Sequence, residues 1–212
     1  QSAIDRSASM IPLWLKISYT LFVAVLVPVY WAHYGPANFL WACDIALFVT
    51  AVALWRESRL LASAMAVAVL VPEAVWNLDF FTRLIAGRDV IGLDATGYIF
   101  DAALPLWLRA LSLFHVFLPL LLLWLVRRLG YDLRALAATT ALCWIVLLAT
   151  YWLTDPVRNI NWAFDLGARH DPWLVGPWYL AGLMAALPLF VYLPTHLLLK
   201  RHPRKRTRLP NR

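Results

Sequence analysis

Charged residues are scarce in this chain: Asp, Glu, Lys and Arg make up 15% of its 212 residues, whereas soluble domains carry roughly 25%. That shortage excludes an ordinary water-soluble domain, and it also excludes charged disordered chains and coiled coils. Only two cysteines are present, Cys43 and Cys143, so a disulfide-rich secreted scaffold is excluded as well. Both lie inside apolar runs, where we expect reduced thiols.

What the chain does have is long apolar runs, with 62% hydrophobic residues and a mean hydropathy of +0.67. A bilayer core of about 30 Å needs roughly 20 helical residues to cross it. Six segments meet that length within a few residues: 11–31, 39–55, 60–81, 104–126, 135–153 and 177–199. Continuous runs of this kind favour helices over the alternating strands of a barrel. The sequence therefore predicts an all-α polytopic transmembrane bundle of six helices.

The basic residues predict the orientation of the bundle. With six spans both termini lie on one side, and that side collects fourteen of the nineteen Lys and Arg residues. Basic loops mark the cytoplasmic side, so we expect cytoplasmic termini in a multi-pass protein of the inner (plasma) membrane. The cytoplasmic loops are then short, at 56–59 and 127–134. The two extracytoplasmic loops, at 82–103 and 154–176, are longer.

The chain divides into three parts. Residues 1–10 are a polar N-terminal tail that could come from an early start codon, residues 11–199 are the transmembrane domain, and residues 200–212 are a basic cytoplasmic tail. The first span contains Lys16 and Pro28 and has no small-residue cleavage site, so we interpret it as a retained helix. A basic cluster directly after a last span typically binds anionic lipid headgroups. We therefore expect membrane lipids, and no nucleic acid, as partners of the tail.

Polar side chains converge on the outer half of the predicted bundle. Cys43 and Asp44 lie four or five residues into the second span, about 6–8 Å deep. Glu73 and Asn77 share one face at the outer end of the third span, because residues four apart are helical neighbours. His115 lies at a similar depth in the fourth. Ionisable groups at this depth are costly, so they indicate a functional site. The alternative is that Asp44, Glu73 and Asp79 pair with Arg83, Arg109 or Arg158 and only join helices.

These residue types in combination suggest nucleophilic catalysis. A cysteine is activated when a nearby histidine takes its proton, so Cys43 is the candidate nucleophile and His115 the candidate base. Asp44 or Glu73 would orient the imidazole. The candidates for substrate binding are polar or aromatic residues at the outer side (Asn77, Arg158, Asn159, Asn161 and Trp162), which could hold a headgroup phosphate or an oxyanion. Cys43, His115 and Asp44 lack a compact metal-ligand motif, so we predict no metal and no cofactor.

Four short runs resemble a known group of membrane proteins. They are NFLWACDIAL at 38–47, LFHVFLPL at 113–120, NINWAF at 159–164 and GPWYL at 176–180. In order and spacing they are similar to a bacterial integral-membrane family described only as membrane-associated. That family is related to a eukaryotic transmembrane phospholipid acyltransferase and to the androgen-induced-gene fatty-ester hydrolases. The resemblance implies a nucleophilic cysteine at Cys43 and a histidine at His115 that completes the dyad.

The sequence leaves three functions open. The first is a thiol-dependent lipid acyltransferase or esterase that uses Cys43 and His115. The second is a non-catalytic membrane subunit or scaffold of a larger complex, whose polar cluster only joins helices. The third is a small-molecule transporter, although the chain shows no pair of similar halves. A catalytic site would require the Cys43 sulfur to lie close to a His115 ring nitrogen, about 4 Å away.

Overall fold

The computed structural model describes residues 10–92, 94–165 and 176–201. The predicted N-terminal tail at 1–9, residues 166–175 of the second long loop and residues 202–212 of the basic tail lie outside this part of the chain. Within it every regular element is a helix or a helical turn. The all-α prediction is therefore confirmed.

Each of the six predicted segments is helical. The long helices are α1 (Leu13–Tyr34), α2 (Ala42–Arg56), α3 (Arg59–Ala86), α6 (Phe114–Leu129) and α7 (Ala135–Leu153). Two short helices, α4 (Gly97–Phe100) and α5 (Leu106–Leu111), lie between α3 and α6. The last segment is α8 (Pro177–Ala186), a π-helix (Leu187–Tyr192) and α9 (Leu193–Leu199), in succession.

Five stretches are long and apolar enough to cross a membrane, as in a membrane-embedded protein: Leu13–Tyr34, Arg59–Ala86, Leu106–Leu129, Ala135–Leu153 and Pro177–Leu199. The second predicted span is shorter, because its first residues form part of a 3₁₀ turn (Pro36–Leu40) and α2 has only 15 residues. At 1.5 Å per residue α2 is roughly 22 Å long, less than a full bilayer core. The six-span count and the orientation of the termini stay predictions.

Helix α3 is the centre of the bundle, packed against α2, α6 and α7. Its first half is lined with small residues, and Ala62, Ala64 and Ala66 are almost fully buried. Small side chains allow neighbouring helices to approach closely. A central helix of this kind places Glu73 in the interior of the molecule and leaves Asn77 partly buried.

A break in the fourth segment determines where His115 lies. Ser112 and Leu113 leave the regular α-helix between α5 and α6. The Ser112 hydroxyl is hydrogen-bonded at 2.7 Å to the hydroxyl of Tyr30 on α1. After this break a new helix, α6, begins at Phe114, and His115 is its second residue.

The turns at one end of the bundle are joined to one another, and we call this the turn-rich end. It carries the 3₁₀ turns Pro36–Leu40, Pro156–Arg158 and Ile160–Trp162. The Asn161 side chain connects them, since its Nδ2 donates to the carbonyl of Leu40 at 2.7 Å and its Oδ1 accepts from the amide of Ala42 at 2.8 Å. The start of α2 is thereby fixed from a distant part of the chain.

Candidate active site

Three side chains from three different helices meet near the turn-rich end. Cys43 comes from α2, Glu73 from α3 and His115 from α6, and one sulfur, oxygen or nitrogen atom of each lies within 4.8 Å of the others. Glu73 and His115 are buried, and Cys43 is partly exposed. The structure thus brings together the predicted nucleophile, the predicted base and one of the two predicted orienting acids.

Glu73 and His115 form a direct contact, with 2.8 Å between His115 Nδ1 and Glu73 Oε2. An ionised carboxylate only accepts hydrogen bonds, so Nδ1 carries the proton in this pair. The lone pair of neutral His115 is then on Nε2. A histidine held in this tautomer is able to take a proton from a neighbouring thiol.

The imidazole ring is held between two aromatic rings. Trp76 stacks on it at a centroid distance of 4.4 Å and Phe114 at 4.1 Å. The Asn77 side chain holds the backbone of both residues of the pair, since its Nδ2 donates to the carbonyls of Glu73 and of His115, at 2.7 Å each. These contacts restrict rotation of His115, which preorganises the base.

Cys43 lies in the first turn of α2, where the helix dipole favours a negatively charged sulfur. Asn161 fixes this turn through the amide of Ala42. The turn that carries the candidate nucleophile is thus held by a residue from a distant part of the chain.

Asp44, the other predicted orienting acid, does not contact His115. Its Oδ2 accepts a hydrogen bond of 3.0 Å from Asn38 Nδ2, and its Oδ1 has no partner. Adjacent helical residues point about 100° apart, so Asp44 and Cys43 lie on different faces of α2, although both line the same cavity. The geometry assigns the contact with the imidazole to Glu73 alone.

The sequence left open that acids inside the bundle pair with Arg83, Arg109 or Arg158. In the described part of the chain these pairs are not formed. Asp79 accepts from the amide and the hydroxyl of Thr96, at 2.9 and 2.7 Å. Each arginine has another partner: Arg83 pairs with Asp94, Arg109 donates to the carbonyl of Ile99, and Arg158 donates to the carbonyl of Tyr34. Asp44 and Glu73 are therefore not neutralised by these arginines.

A cavity of about 800 Å³ adjoins the three side chains. Such a volume is within the range of small-molecule sites. Its polar end is lined by Cys43, Asp44, Glu73 and His115. From Glu73 it follows α3 to Met65, eight residues or about 12 Å along the helix. Most of the wall there is apolar (Val69, Leu142, Val146, Leu147, Leu183, Leu187 and Val191), and Thr139, Cys143 and Tyr192 also line it.

Four of the five predicted substrate-binding residues line this cavity, namely Arg158, Asn159, Asn161 and Trp162. Asn159 also has an internal partner, because its Nδ2 lies 2.6 Å from Asp165 Oδ1. The Trp162 carbonyl accepts from the hydroxyl of Tyr179 at 2.9 Å. Asn77 is not among the lining residues, and its two bonds to backbone carbonyls give it a positioning role.

Two further residues of the polar end were not selected by the sequence analysis. Asn38 holds Asp44, and Tyr34 lines the cavity with a buried hydroxyl that has no partner. Asn38 occurs in the motif at 38–47, six residues before Asp44, so its position in that run was the available signal. Tyr34 is the last residue of α1, where an aromatic residue is expected at a membrane interface anyway.

The three side chains also belong to the types that bind zinc. In the described residues the group contains Cys43, Glu73 and His115 and no fourth His, Cys, Asp or Glu.

Comparison of the chain with family models, with curated proteins and with solved structures finds no match. The similarity of the four motifs to the bacterial membrane family stays an expectation, and the chemistry rests on the geometry above.

Proposed function

We propose that this protein is a membrane-embedded thiol enzyme acting on lipid esters, an acyltransferase or an esterase. Cys43 is the nucleophile, His115 the base and Glu73 the residue that orients the imidazole. The observation that carries the proposal is the meeting of these three side chains at the polar end of a cavity whose far half is apolar.

The first step is acylation of Cys43. His115 Nε2 takes the proton of the thiol, and the sulfur attacks the carbonyl carbon of an ester. The resulting oxyanion is stabilised by the amides at the start of α2. When the carbon–oxygen bond breaks, the leaving alcohol receives the proton from His115, and a thioester remains on Cys43.

The second step returns the enzyme to its starting state. His115 takes a proton from water or from a second alcohol, whose oxygen attacks the thioester carbonyl. The thiolate of Cys43 leaves and recovers the proton. With water the product is a fatty acid, and with an alcohol it is a new ester. The related proteins implied by the sequence motifs include both kinds of enzyme.

A lipid substrate fits the surroundings of the site. The stretch of cavity from Glu73 to Met65 offers an apolar environment for an acyl chain. At the other end Arg158 provides a guanidinium group, which suits a phosphate. We place the polar end at the outer headgroup region of the inner membrane and the basic tail, residues 200–212, against anionic lipids on the cytoplasmic face.

The other two functions have less support. A subunit that only packs in a complex would have its acids sealed by ion pairs, whereas Asp44 keeps a carboxylate oxygen without a partner in a cavity wall. A transporter has no need for the stacked and hydrogen-bonded arrangement of His115.

The test is acylation of the purified full-length protein by an alkyne-tagged fatty-acyl ester. The chain offers a matched control, because Cys143 lines the same cavity. We expect labelling of the wild type and of Cys143→Ser that neutral hydroxylamine releases, as it does for thioesters. Cys43→Ala should remain unlabelled, and any label on Cys43→Ser should resist hydroxylamine. Equal labelling of Cys43→Ala and the wild type would exclude Cys43 as the nucleophile and leave the subunit or transporter as the better description.

A further inference from the structure

Asp44 is a buried carboxylate that the proposed mechanism does not use. Its side chain is 2% exposed and lines the cavity beside Cys43. One oxygen accepts from Asn38, and the other, Oδ1, is buried without a partner. A buried polar atom that lacks a hydrogen bond is costly. The cavity therefore contains an unoccupied acceptor position.

No cation of the described chain neutralises Asp44. The basic residues that form ion pairs there (Lys16, Arg83, Arg134 and His115) do so with other acids. Glu73, a second acid, lines the same end of the cavity. Carboxylates are seldom fully buried unless they are paired, so this end of the cavity favours a positively charged ligand.

A second unpartnered polar atom lies in the wall of the same cavity. The Tyr34 hydroxyl is buried and makes no hydrogen bond. Tyr30, Tyr98 and Trp41 also line the cavity, and the faces of such rings attract cations. A ligand group that donates hydrogen bonds and carries a positive charge would satisfy Asp44, and the Tyr34 hydroxyl is a further polar atom in the wall of the same cavity.

We propose that Asp44 is the anchor of a binding site for a primary ammonium group. One ammonium proton is donated to Asp44 Oδ1, and the charge neutralises the carboxylate. A hydroxyl group would satisfy the hydrogen bond but would leave the charge unpaired. The ammonium group belongs either to a lipid headgroup or to a small free amine. The assignment of this ammonium group to the substrate of Cys43 rests on the proposed function. Its binding beside Asp44 does not.

The experiment measures binding in a chain that cannot be acylated. Full-length Cys43→Ala protein is placed in nanodiscs of phosphatidylglycerol, which has no ammonium group. Tryptophan fluorescence is followed while ethanolamine, or the neutral ethylene glycol of similar size, is added. We expect ethanolamine to bind at least about tenfold more tightly than ethylene glycol. Asp44→Asn should remove that preference. Asp101→Asn, the same change at an exposed residue, should keep it.

A second arm distinguishes the two sources of the amine. Phosphatidylethanolamine is added to the nanodiscs before the titration. If the lipid headgroup occupies the site, ethanolamine binding weakens in proportion to the added lipid. If the ligand is a free amine, the titration is unchanged. Both results support an ammonium site.

Two results would overturn the proposal: equal binding of ethanolamine and ethylene glycol, or a preference for ethanolamine that survives Asp44→Asn. If Asp44→Asn does not fold, the first of these results decides the proposal. The comparison of the two ligands on Cys43→Ala needs no change at Asp44. Failure of Cys43 acylation together with retained ethanolamine binding would remove the proposed function and leave the ammonium site.

Discussion

His115 Nδ1 lies 2.8 Å from Glu73 Oε2, so a hydrogen bond between side chains joins helices α6 and α3 at the candidate site. The carboxylate selects the tautomer in which Nε2 has the free lone pair. In the proposed mechanism it also stabilises the imidazolium that forms when the thiol loses its proton. The effect of Glu73 on catalysis can therefore be separated from any effect on binding.

Glu73→Gln keeps the size of the side chain and removes its charge. We expect the maximal rate of Cys43 acylation to fall by about 10²-fold or more, while the probe concentration at half-maximal rate stays the same. Single-turnover acylation over a range of probe concentrations measures both quantities. A change confined to the half-maximal concentration would show that Glu73 binds the substrate instead of orienting His115.

Asn77→Leu removes the side chain that donates to the carbonyls of Glu73 and His115. We expect a loss of about 1–3 kcal/mol in the free energy of unfolding and a lower rate of acylation. Thermal unfolding in detergent measures the first quantity. Thr82→Val, which removes an exposed hydrogen bond of the same helix, is the control and should change little. Unchanged stability with weaker probe binding would restore the role in substrate binding that the sequence suggested.

Asn161→Gly tests whether the turn-rich end positions the nucleophile. The backbone of Asn161 has φ of 54°, which glycine adopts without strain, so the change removes mainly the bonds to Leu40 and Ala42. We expect slower acylation of Cys43. Asn159→Gly, at φ of 41°, loses bonds only within its own loop and should be slowed less. Equal rates in the two variants would mean that α2 is held without Asn161.

We expect the stability of the protein to depend on pH because of an ion pair in the loop between α6 and α7. The Arg134 guanidinium donates to both carboxylate oxygens of Asp132 and lowers the pKa of that acid. Because the ionised form is favoured in the folded state, its contribution to stability is present above the ordinary carboxyl pKa of about 4 and is lost as the pH falls below it. Asp132→Asn should therefore lose less thermal stability than the wild type between about pH 6 and pH 3. Arg134→Ala should behave like Asp132→Asn, and a wild-type response in either variant would contradict the assignment.

The six-span prediction depends on the short helix α2. If α2 crosses the membrane, reporters fused to the two termini lie on the same side, in the cytoplasm. If α2 only enters and returns, the termini lie on opposite sides. Fluorescent and enzymatic reporters at both termini, each active on one side only, measure this directly.

The helices could be predicted from the sequence because a bilayer requires long apolar runs, and each run contains a helix in the structure. The break at Ser112 and Leu113 could not, since neither residue is a helix breaker; in the structure the Ser112 hydroxyl is hydrogen-bonded to Tyr30 on another helix. The π-helix at Leu187–Tyr192 has no sequence signal beyond Pro188.

The candidate site could be predicted in part. The positions of Cys43, Glu73 and His115 along their spans indicate a common depth, and the structure brings these side chains together. Depth does not determine how neighbouring helices are rotated about their axes. For that reason Asp44 and Glu73 were equivalent candidates for orienting His115, and only the packing of α2, α3 and α6 separates them.

The bond between the Asn161 side chain and the amide of Ala42 joins residues 119 positions apart. During synthesis the ribosome must add all of these residues after Ala42 before Asn161 is available to hold the start of α2. The nascent chain then contains the thiol and the imidazole before their arrangement is completed. If Asn161 fixes the nucleophile, translation products that end before Asn161 lack the arrangement that the proposed chemistry needs.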